Sequence, residues 1–492
     1  MNTVQRIAKN TAVLLSTQLI SYLIALFYAI YSARYLGPES YGVLSFALAF
    51  TGLLAFISDL GLSPLTTREV ARDKSLAPKY LINAAIIKIA LSVVFFGLMA
   101  LIVNTMGYPQ ETINSVYIFC LYAIFQSFHY LFYAIFQSHE RMEYQALGQI
   151  LGSVLILVGV ILAIKYSLGV VAFAWLYCAS AIIVFVFCFV IILLKFAKPR
   201  SEWLPWKVEI RWDFWKRTLK SALPFMLTIA IAGIFLKIDV IMISAMKGDS
   251  AAGYYNSACN LIMVLLTLSA VATAPAFPAM SRFFISSKDS LKIAMVKSSK
   301  YQFILGLPIV VGTFMLANRI ISTIYGSGFE QAAVALRVLI LYLPLRFVCN
   351  STGWTLAAIN KEPLRTLSVG IAVLVNIALN SILIPPYGIQ GAAIATVISQ
   401  ILMFLLFEYF VRKNFHGLPL REIAVKPLIA CAIMGVLVFF IRKESLLLVI
   451  PAAAILYFAL LLFLKAFDAK DKKIFKDIIK GLTNLLQIRK TG

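Results

Sequence analysis

Long apolar runs follow one another along almost the entire chain, and only short polar segments separate them. A helix needs roughly 20 apolar residues to cross a bilayer. The runs contain no ten-residue alternation of apolar and polar positions, so they favour helices over a closed barrel. The pattern predicts an all-α integral membrane protein with about 14 transmembrane helices, at residues 11–33, 42–62, 82–106, 115–138, 144–164, 168–194, 220–246, 251–277, 301–325, 332–357, 365–384, 389–411, 425–441 and 445–464.

Composition agrees with this interpretation, and the charges give the chain a direction. Of the 492 residues 61% are hydrophobic and 13% are charged, whereas soluble domains contain about 25% charged residues. The net charge is +23, which in a soluble protein would suggest nucleic acid. If both termini are cytoplasmic, 34 of the 44 Lys and Arg residues fall in cytoplasmic segments and five in outer loops. Because this is the positive-inside bias, we expect a multi-pass protein of the cell membrane, surrounded by anionic membrane lipids and with no nucleic-acid partner.

Patterns that carry enzymatic chemistry are not recognisable. The six cysteines lie inside apolar runs and form no CxxC pair, so neither a zinc site nor a disulfide framework is expected. No nucleotide-binding loop, metal-ligand cluster or nucleophile elbow is evident. We therefore expect a protein that is not an enzyme and that needs no cofactor.

Two pairs of turns indicate an internal repeat. Residues 37–45 and 248–257 both carry glycines five residues apart before a new span, and residues 166–172 resemble residues 387–393. The shifts are 211 residues for the first pair and 222 residues between Gly169 and Gly391 of the second. Each shift spans six helices, so we expect both halves to have the same orientation in the membrane. The repeat predicts two pseudo-symmetric six-helix bundles that rock against each other around a central cavity. Chance similarity between glycine-rich turns is the alternative.

This repeat sets the predicted domain boundaries. The N-terminal bundle occupies residues 1–200 and the C-terminal bundle residues 201–415, and an extra transmembrane helix pair follows at 416–464. Residues 465–492 combine lysines with apolar residues at helical spacing. They predict a basic amphipathic tail that lies on the cytoplasmic membrane surface.

Several short motifs carry a family resemblance: Arg34-Tyr-Leu-Gly-Pro-Glu-Ser-Tyr-Gly42, Ser16-Thr-Gln-Leu19, Asp59-Leu-Gly-Leu62 before Thr67-Arg-Glu-Val-Ala-Arg72, and Gly388-Ile-Gln-Gly-Ala-Ala-Ile-Ala-Thr396. Together they resemble the polysaccharide-unit flippases of the multidrug/oligosaccharidyl-lipid/polysaccharide exporter superfamily, over about residues 1–415. The resemblance implies translocation of a polyprenyl-pyrophosphate-linked oligosaccharide by alternating access, for surface polysaccharide assembly. The expected partners are this substrate, membrane lipids, polysaccharide assembly proteins and a coupling proton or sodium ion.

Other functions remain as alternatives. A cation-coupled multidrug exporter of the same superfamily would prefer an acid in its first span, and residues 11–33 contain none. A peptidoglycan-precursor flippase would carry arginines in its first two spans, whereas the first basic position there is Arg34, at the outer end. A membrane glycosyltransferase or polymerase would need catalytic acids and large external loops, which the predicted topology lacks. A non-transporting scaffold is compatible with the sequence.

Basic residues inside the spans are the candidates for substrate binding. Charges in the membrane are costly and favour positions that face a wet interior. Arg346 lies near the middle of the tenth predicted span, where its planar guanidinium suits a pyrophosphate; an ion pair with Asp239 is the alternative. Lys237, Arg337 and Lys88 are further candidates. Arg337 can also be an outer-interface residue, and Lys88 can snorkel to the cytoplasmic interface.

Two acids and two amides complete the candidate site. Asp239 and Asp59 are the candidates for binding a coupling ion. The alternatives are a structural partner for a cation at Asp239 and a cap or gate contact at Asp59. Asn376 and Asn380 lie four residues apart on one helix face, so they suit sugar contacts or hydrogen bonds between helices.

Overall fold

A computed structural model describes residues 3–196, 212–273, 276–468 and 471, and in these ranges the chain forms helices and no strand. The α-helices are α1 (Thr3–Leu54), α2 (Phe56–Asp59), α3 (Leu62–Arg72), α4 (Ala77–Thr105), α5 (Gln110–Ser138), α6 (Met142–Lys165), α7 (Val170–Ile191), α8 (Trp212–Lys247), α9 (Asp249–Thr273), α10 (Ala276–Ser286), α11 (Lys288–Tyr325), α12 (Glu330–Leu339), α13 (Leu343–Ala358), α14 (Glu362–Asn414), α15 (Leu420–Ile441) and α16 (Leu446–Phe463).

Twelve helical segments in the described ranges are long and apolar enough to cross a membrane. Two helices have about twice the length of one span, since α1 has 52 residues and α14 has 53. The backbone turns at Gly37 (φ 72°) in α1 and at Gly388 (φ 55°) in α14. A residue without a Cβ atom adopts such a positive φ at little cost. Each long helix is therefore long enough for two crossings, and the predicted all-α, multi-pass membrane fold is confirmed.

The tenth predicted span, 332–357, lies within the apolar segment Glu330–Ala358, which is long enough to cross a membrane but is not one continuous α-helix. It consists of α12 and α13 with a 3-10 turn at Ile340–Tyr342 between them. Pro344 has no N–H group to donate to a preceding turn. Pro344 lies in the first turn of α13, where backbone N–H groups have no acceptor within the helix, so the missing N–H group costs no helical hydrogen bond.

Two connections that were predicted as loops are also largely helical. Residues 63–81 contain most of α3, and residues 278–300 contain most of α10 and the start of α11. Their charges, such as Arg72 and Lys288, are exposed on these helices. Most of the predicted tail, 465–492, lies outside the described residues.

The chain separates into two compact units. Unit 1 comprises Met1–Ala274, Asn318–Leu339 and Glu362–Met403, and unit 2 comprises Pro275–Ala317, Ile340–Lys361 and Phe404–Gly492. In unit 1, α1 packs against α5, α6, α7, α8 and α9, and in unit 2, α10 packs against α13 and α15 against α16. The division into bundles at 1–200 and 201–415 stays a prediction.

In unit 2, Asp471 follows the last predicted span and forms ion pairs with two lysines in the N-terminal part of α11. Lys297 and Lys300 lie 2.7 Å and 2.6 Å from the Asp471 carboxylate, and the Tyr301 hydroxyl donates to it at 2.6 Å. Burial alone would raise the pKa of Asp471, but these hydrogen bonds hold that pKa well below its usual range. The carboxylate is therefore charged at neutral pH and keeps this contact.

In unit 1, the two glycine turns of the sequence repeat meet each other. A Cβ atom on Gly42 would lie 1.8 Å from the Asp249 carbonyl oxygen, and one on Gly253 would lie 2.2 Å from the Pro38 carbonyl oxygen. Asn256 also donates to the Ser45 hydroxyl at 2.9 Å, across a separation of 211 residues. We call this contact between α1 and α9 the glycine crossing. Its reciprocal pairs have the pattern that a twofold axis produces.

Candidate functional site

A cavity of about 550 Å³ in unit 1 lies between α1, α5, α6 and α7. Its wall contains the tyrosines Tyr22, Tyr28, Tyr122, Tyr130 and Tyr133. It also contains the glutamines Gln18, Gln126, Gln145 and Gln149. We call it the tyrosine cavity, and it offers hydroxyl and amide groups deep within apolar spans.

The periodicity of the α-helix places these side chains on the helix faces that line the cavity. Gln18 and Tyr22 are four residues apart in α1, Tyr122, Gln126 and Tyr130 recur every four residues in α5, and Gln145 and Gln149 do so in α6. Residues at this spacing share one helix face. None of these residues was among the predicted site residues, although polar residues at four-residue spacing in an apolar span are the same signal that singled out Asn376 and Asn380.

Some of the lining groups are already paired within the protein. Gln126 donates to the Tyr122 hydroxyl at 2.9 Å, and His129 Nε2 lies 2.7 Å from the Ala181 carbonyl oxygen. In the described part of the chain, Gln18, Tyr22, Tyr28, Tyr130 and Gln149 make no side-chain hydrogen bond. These five groups are available to a polar ligand.

A second cavity of about 250 Å³ adjoins the first, and we call it the lysine recess. The two cavities share Tyr22, Ala25 and Tyr28. Lys237 of α8 lines the recess, and its Cε atom would lie 4.0 Å from a Cβ atom on Gly52. Among described residues Lys237 forms no ion pair. Lys237 therefore lines the recess without a carboxylate partner among the described residues.

The wall of the lysine recess also includes the glycine crossing. Ser45 and Asn256, which bond to each other at the crossing, both line the recess. Asn260 adds a bond to the Tyr41 hydroxyl at 2.8 Å. The contact between α1 and α9 thus bounds the recess.

A third cavity, of about 500 Å³, contains Asp59 in its wall and shares Gln126, Tyr130, Tyr133 and Gln145 with the tyrosine cavity. The second predicted span ends in a break here, because Leu60 and Gly61 have positive φ between α2 and α3. Asp59 accepts from the Ser63 hydroxyl at 2.5 Å and is 13% exposed.

Lys88 was interpreted as able to snorkel to the cytoplasmic interface, and this is wrong. Its side chain is fully buried and forms an ion pair with Asp59. The ammonium also donates to the Ser127 carbonyl oxygen at 2.7 Å and to the Ser127 hydroxyl at 2.9 Å. With these partners its charge is compensated in place, so the structure does not present Lys88 to a cavity.

Asp239 lies at the centre of a buried polar network, separate from the partners of Lys88. Its carboxylate accepts from Tyr255 at 2.7 Å, from Thr396 at 2.6 Å and from Asn380 at 2.7 Å. Asn380 also donates to Asn376 Oδ1 at 3.1 Å. The network connects α8, α9 and α14. It joins three predicted site residues, Asp239, Asn376 and Asn380, to Tyr255 and Thr396, which were not among the predicted site residues.

The two arginine candidates occupy different units. Arg337 is half-buried in the last turn of α12, in unit 1, and Arg346 is half-buried in α13, in unit 2. The structure therefore brings together Asp239, Asn376 and Asn380, and separately Asp59 and Lys88, with Lys237 in the recess. The substrate-binding roles of Arg337 and Arg346 stay predictions.

Comparison with known proteins identifies the family of the chain. Residues 7–284 match the family described as "Polysaccharide biosynthesis protein". The "Probable low-salt glycan biosynthesis flippase Agl15" of Haloferax volcanii is 24% identical over 383 residues, which cover 77% of this chain and 78% of that protein. The family match and relatives that are named as flippases, such as Agl15, identify the protein as a transporter and not an enzyme.

Solved structures show the same fold. The lipid II flippase MurJ in an inward closed conformation has a TM-score of 0.74 at 19% identity, covering 95% of this chain and 99% of that one. An inward-facing multidrug resistance MATE family transporter has a TM-score of 0.68 at 20% identity, covering 80% and 94%. At this identity the likeness shows the fold alone. The family match and the sequence motifs together go further: the chain belongs to the polysaccharide biosynthesis protein family, among the flippases of the multidrug/oligosaccharidyl-lipid/polysaccharide exporter superfamily.

Proposed function

We propose that the protein is a flippase that moves a polyprenyl-pyrophosphate-linked oligosaccharide across the cell membrane by alternating access, for surface polysaccharide assembly. One observation supports this most: a cavity rich in hydroxyl and amide groups adjoins a recess that holds a single lysine among its described residues. A lipid-linked sugar has the matching parts, since its sugar needs hydrogen bonds and its pyrophosphate needs positive charge. We place both termini of the protein in the cytoplasm, as the charge distribution predicts.

In this proposal Lys237 binds the pyrophosphate. An ammonium group has three donors and a compact charge, which suits phosphate oxygens. An uncompensated charge at the bilayer centre costs about 3 kcal/mol or more, so a lysine without an acidic partner needs a wet or anionic neighbour. Arg346 remains a second candidate for the pyrophosphate, with Arg337 nearer the outer leaflet.

Replacing Lys237 by alanine should slow flipping about 10- to 100-fold at low substrate concentration, because binding of the lipid pyrophosphate loses a hydrogen bond to a charged group, which contributes about 1.5–3 kcal/mol. Lys237→Arg keeps the charge and should lose less. The measurement is the rate at which a fluorescent, polyprenyl-diphosphate-linked oligosaccharide becomes accessible to an impermeant quencher in proteoliposomes. Lys247→Ala, at an exposed lysine of the same helix, is the matched control. Wild-type flipping by Lys237→Ala would contradict the role of Lys237, and absence of flipping by the wild-type protein would contradict the function.

We further propose that Asp239 binds the coupling ion, a proton or a sodium ion. Asn380 Oδ1 is buried and has no hydrogen-bond partner among described residues, so this network contains an unsatisfied acceptor beside a carboxylate. A bound cation or proton would supply the missing positive group. Lys237 and Asp239 are two residues apart in α8, so movement of this helix would act on substrate and ion together. Asp59 is the second candidate, although Lys88 already neutralises it.

Asp239→Asn should abolish the acceleration of flipping by an imposed ion gradient while leaving slow exchange in place, because the amide cannot hold a proton or match the charge of a cation. Flipping is measured in proteoliposomes under a pH gradient, a sodium gradient or neither. Asp213→Asn, at an exposed acid near the start of α8, should behave as wild type. If Asp239→Asn responds to the gradients as strongly as the wild-type protein, Asp239 is not the coupling residue.

A further inference from the structure

The tyrosine cavity differs from its surroundings in charge. Among its described lining residues there is no Asp, Glu, Lys or Arg. The one histidine in its wall, His129, has its Nε2 atom 2.7 Å from the Ala181 carbonyl oxygen. The charged groups nearby lie elsewhere, with Lys237 in the adjoining recess and Asp59 in the third cavity, where Lys88 compensates it. The cavity is therefore polar but uncharged.

On the basis of the proposed function, we infer that this cavity selects a glycan made of uncharged sugars and disfavours one that carries carboxylate or phosphate groups. Sugar hydroxyls donate and accept hydrogen bonds, as do the tyrosine hydroxyls and glutamine amides that face them. Gln18, Tyr22, Tyr28, Tyr130 and Gln149 make no side-chain bond to the described part of the protein, so they can pair with such hydroxyls without losing a partner. The volume, about 550 Å³, lies within the range of about 300–1,000 Å³ typical of ligand pockets.

An acidic sugar would meet the same groups less favourably. A carboxylate loses much of its hydration inside a cavity, and that loss is expensive unless a cation compensates it. Lys237 is the one lysine among the described lining residues of this cavity and the adjoining recess, and it lies in the recess, where the pyrophosphate is proposed to bind. A glycan with a uronic acid would thus bring a second anionic group with no second cation to receive it.

The inference is tested with two polyprenyl-diphosphate-linked oligosaccharides that are identical except for glucose or glucuronic acid in one position. Their affinities for the purified full-length protein in lipid nanodiscs are compared with that of the glycan-free lipid diphosphate. The neutral glycan should bind at least about tenfold more tightly than the acidic one. Gln149→Arg, which adds a cation to the cavity wall, should reduce this ratio or reverse it. Gln110→Arg, at an exposed position that begins α5, should leave the ratio unchanged.

The possible results separate this inference from the proposed function. Equal affinity for the two glycans, or an unchanged ratio in Gln149→Arg, would overturn the selection of uncharged sugars while leaving a glycan flippase in place. If both glycans bound no more tightly than the glycan-free lipid diphosphate, the cavity would not receive sugar at all, and the inference would fail with the proposed function.

Discussion

Lys88→Met should strongly destabilise the protein, by about 3–5 kcal/mol, because it leaves the Asp59 carboxylate without its counter-charge in a largely buried position. The Ser127 carbonyl oxygen and hydroxyl would lose the same donor. Asp59 is 13% exposed and borders a cavity, so water can recover part of this loss and the effect should lie near the lower value. The measurement is the thermal-denaturation midpoint of the purified protein, together with its yield in the membrane.

The double variant Asp59→Asn/Lys88→Met should recover much of that stability, since it removes both charges instead of one. Lys74→Met, at an exposed lysine just before α4, is the matched control and should leave the midpoint unchanged. A Lys88→Met protein as stable as the wild type would show that the pair does not hold these helices together. If such a protein were also inactive in flipping, the predicted substrate-binding role of Lys88 would be favoured instead.

Gly42→Ala should reduce flipping about tenfold or more, because the new methyl group would lie 1.8 Å from the Asp249 carbonyl oxygen. Cβ atoms do not approach a backbone oxygen so closely, so α1 and α9 would have to separate at the glycine crossing. Overpacking of this kind costs about 1–3 kcal/mol. This cost destabilises the conformation in which α1 and α9 are in contact at the glycine crossing. Gly253→Ala should have a similar effect, since its methyl group would lie 2.2 Å from the Pro38 carbonyl oxygen.

The crossing can be followed directly by cross-linking. Ser45→Cys and Asn256→Cys, placed where the native side chains are 2.9 Å apart, should form a disulfide in a background that lacks the native cysteines. Adding Gly42→Ala should lower the yield of that disulfide. Gly97→Ala, where a Cβ atom would meet nothing within 4 Å, should change neither cross-linking nor flipping. Unchanged cross-linking and transport in Gly42→Ala would mean that the close approach is not required for the cycle.

The spans were predictable because solvation in lipid dominates each of them separately. An apolar run of sufficient length has to be a helix whatever it packs against, so the twelve long apolar segments of the described ranges follow from the sequence. The turns at Gly37 and Gly388 were also visible, because Gly37 precedes Pro38 and Gly388 closely follows Pro385 and Pro386. The break at Ile340–Tyr342 was not, because Pro344 can either kink a helix or begin one, and only the packing around it decides between the two.

The residues of the Asp239 network could be predicted as candidates from the sequence, but the contacts between them could not. Asp239 and Asn380 could be chosen as costly polar groups in the membrane, but their contact joins residues 141 positions apart. Lys88 and Asp59 lie 29 positions apart, and each has a plausible separate role until the helices are packed. The tyrosine cavity was overlooked for another reason, since its residues are uncharged and no single one is costly enough to be noticed.

The reciprocal pairs at the glycine crossing also bear on how this chain arose. In an isologous contact, residue i of one subunit contacts residue j of the other, and residue j of the first contacts residue i of the second. Two identical subunits form this kind of interface around a twofold axis. Here both sides belong to one polypeptide and are 211 residues apart. A homodimer contact would take this form after gene duplication and fusion. If the two repeats share one membrane orientation, as the sequence predicts, the ancestral subunits inserted in a single direction, and fusion needed no inversion of either copy.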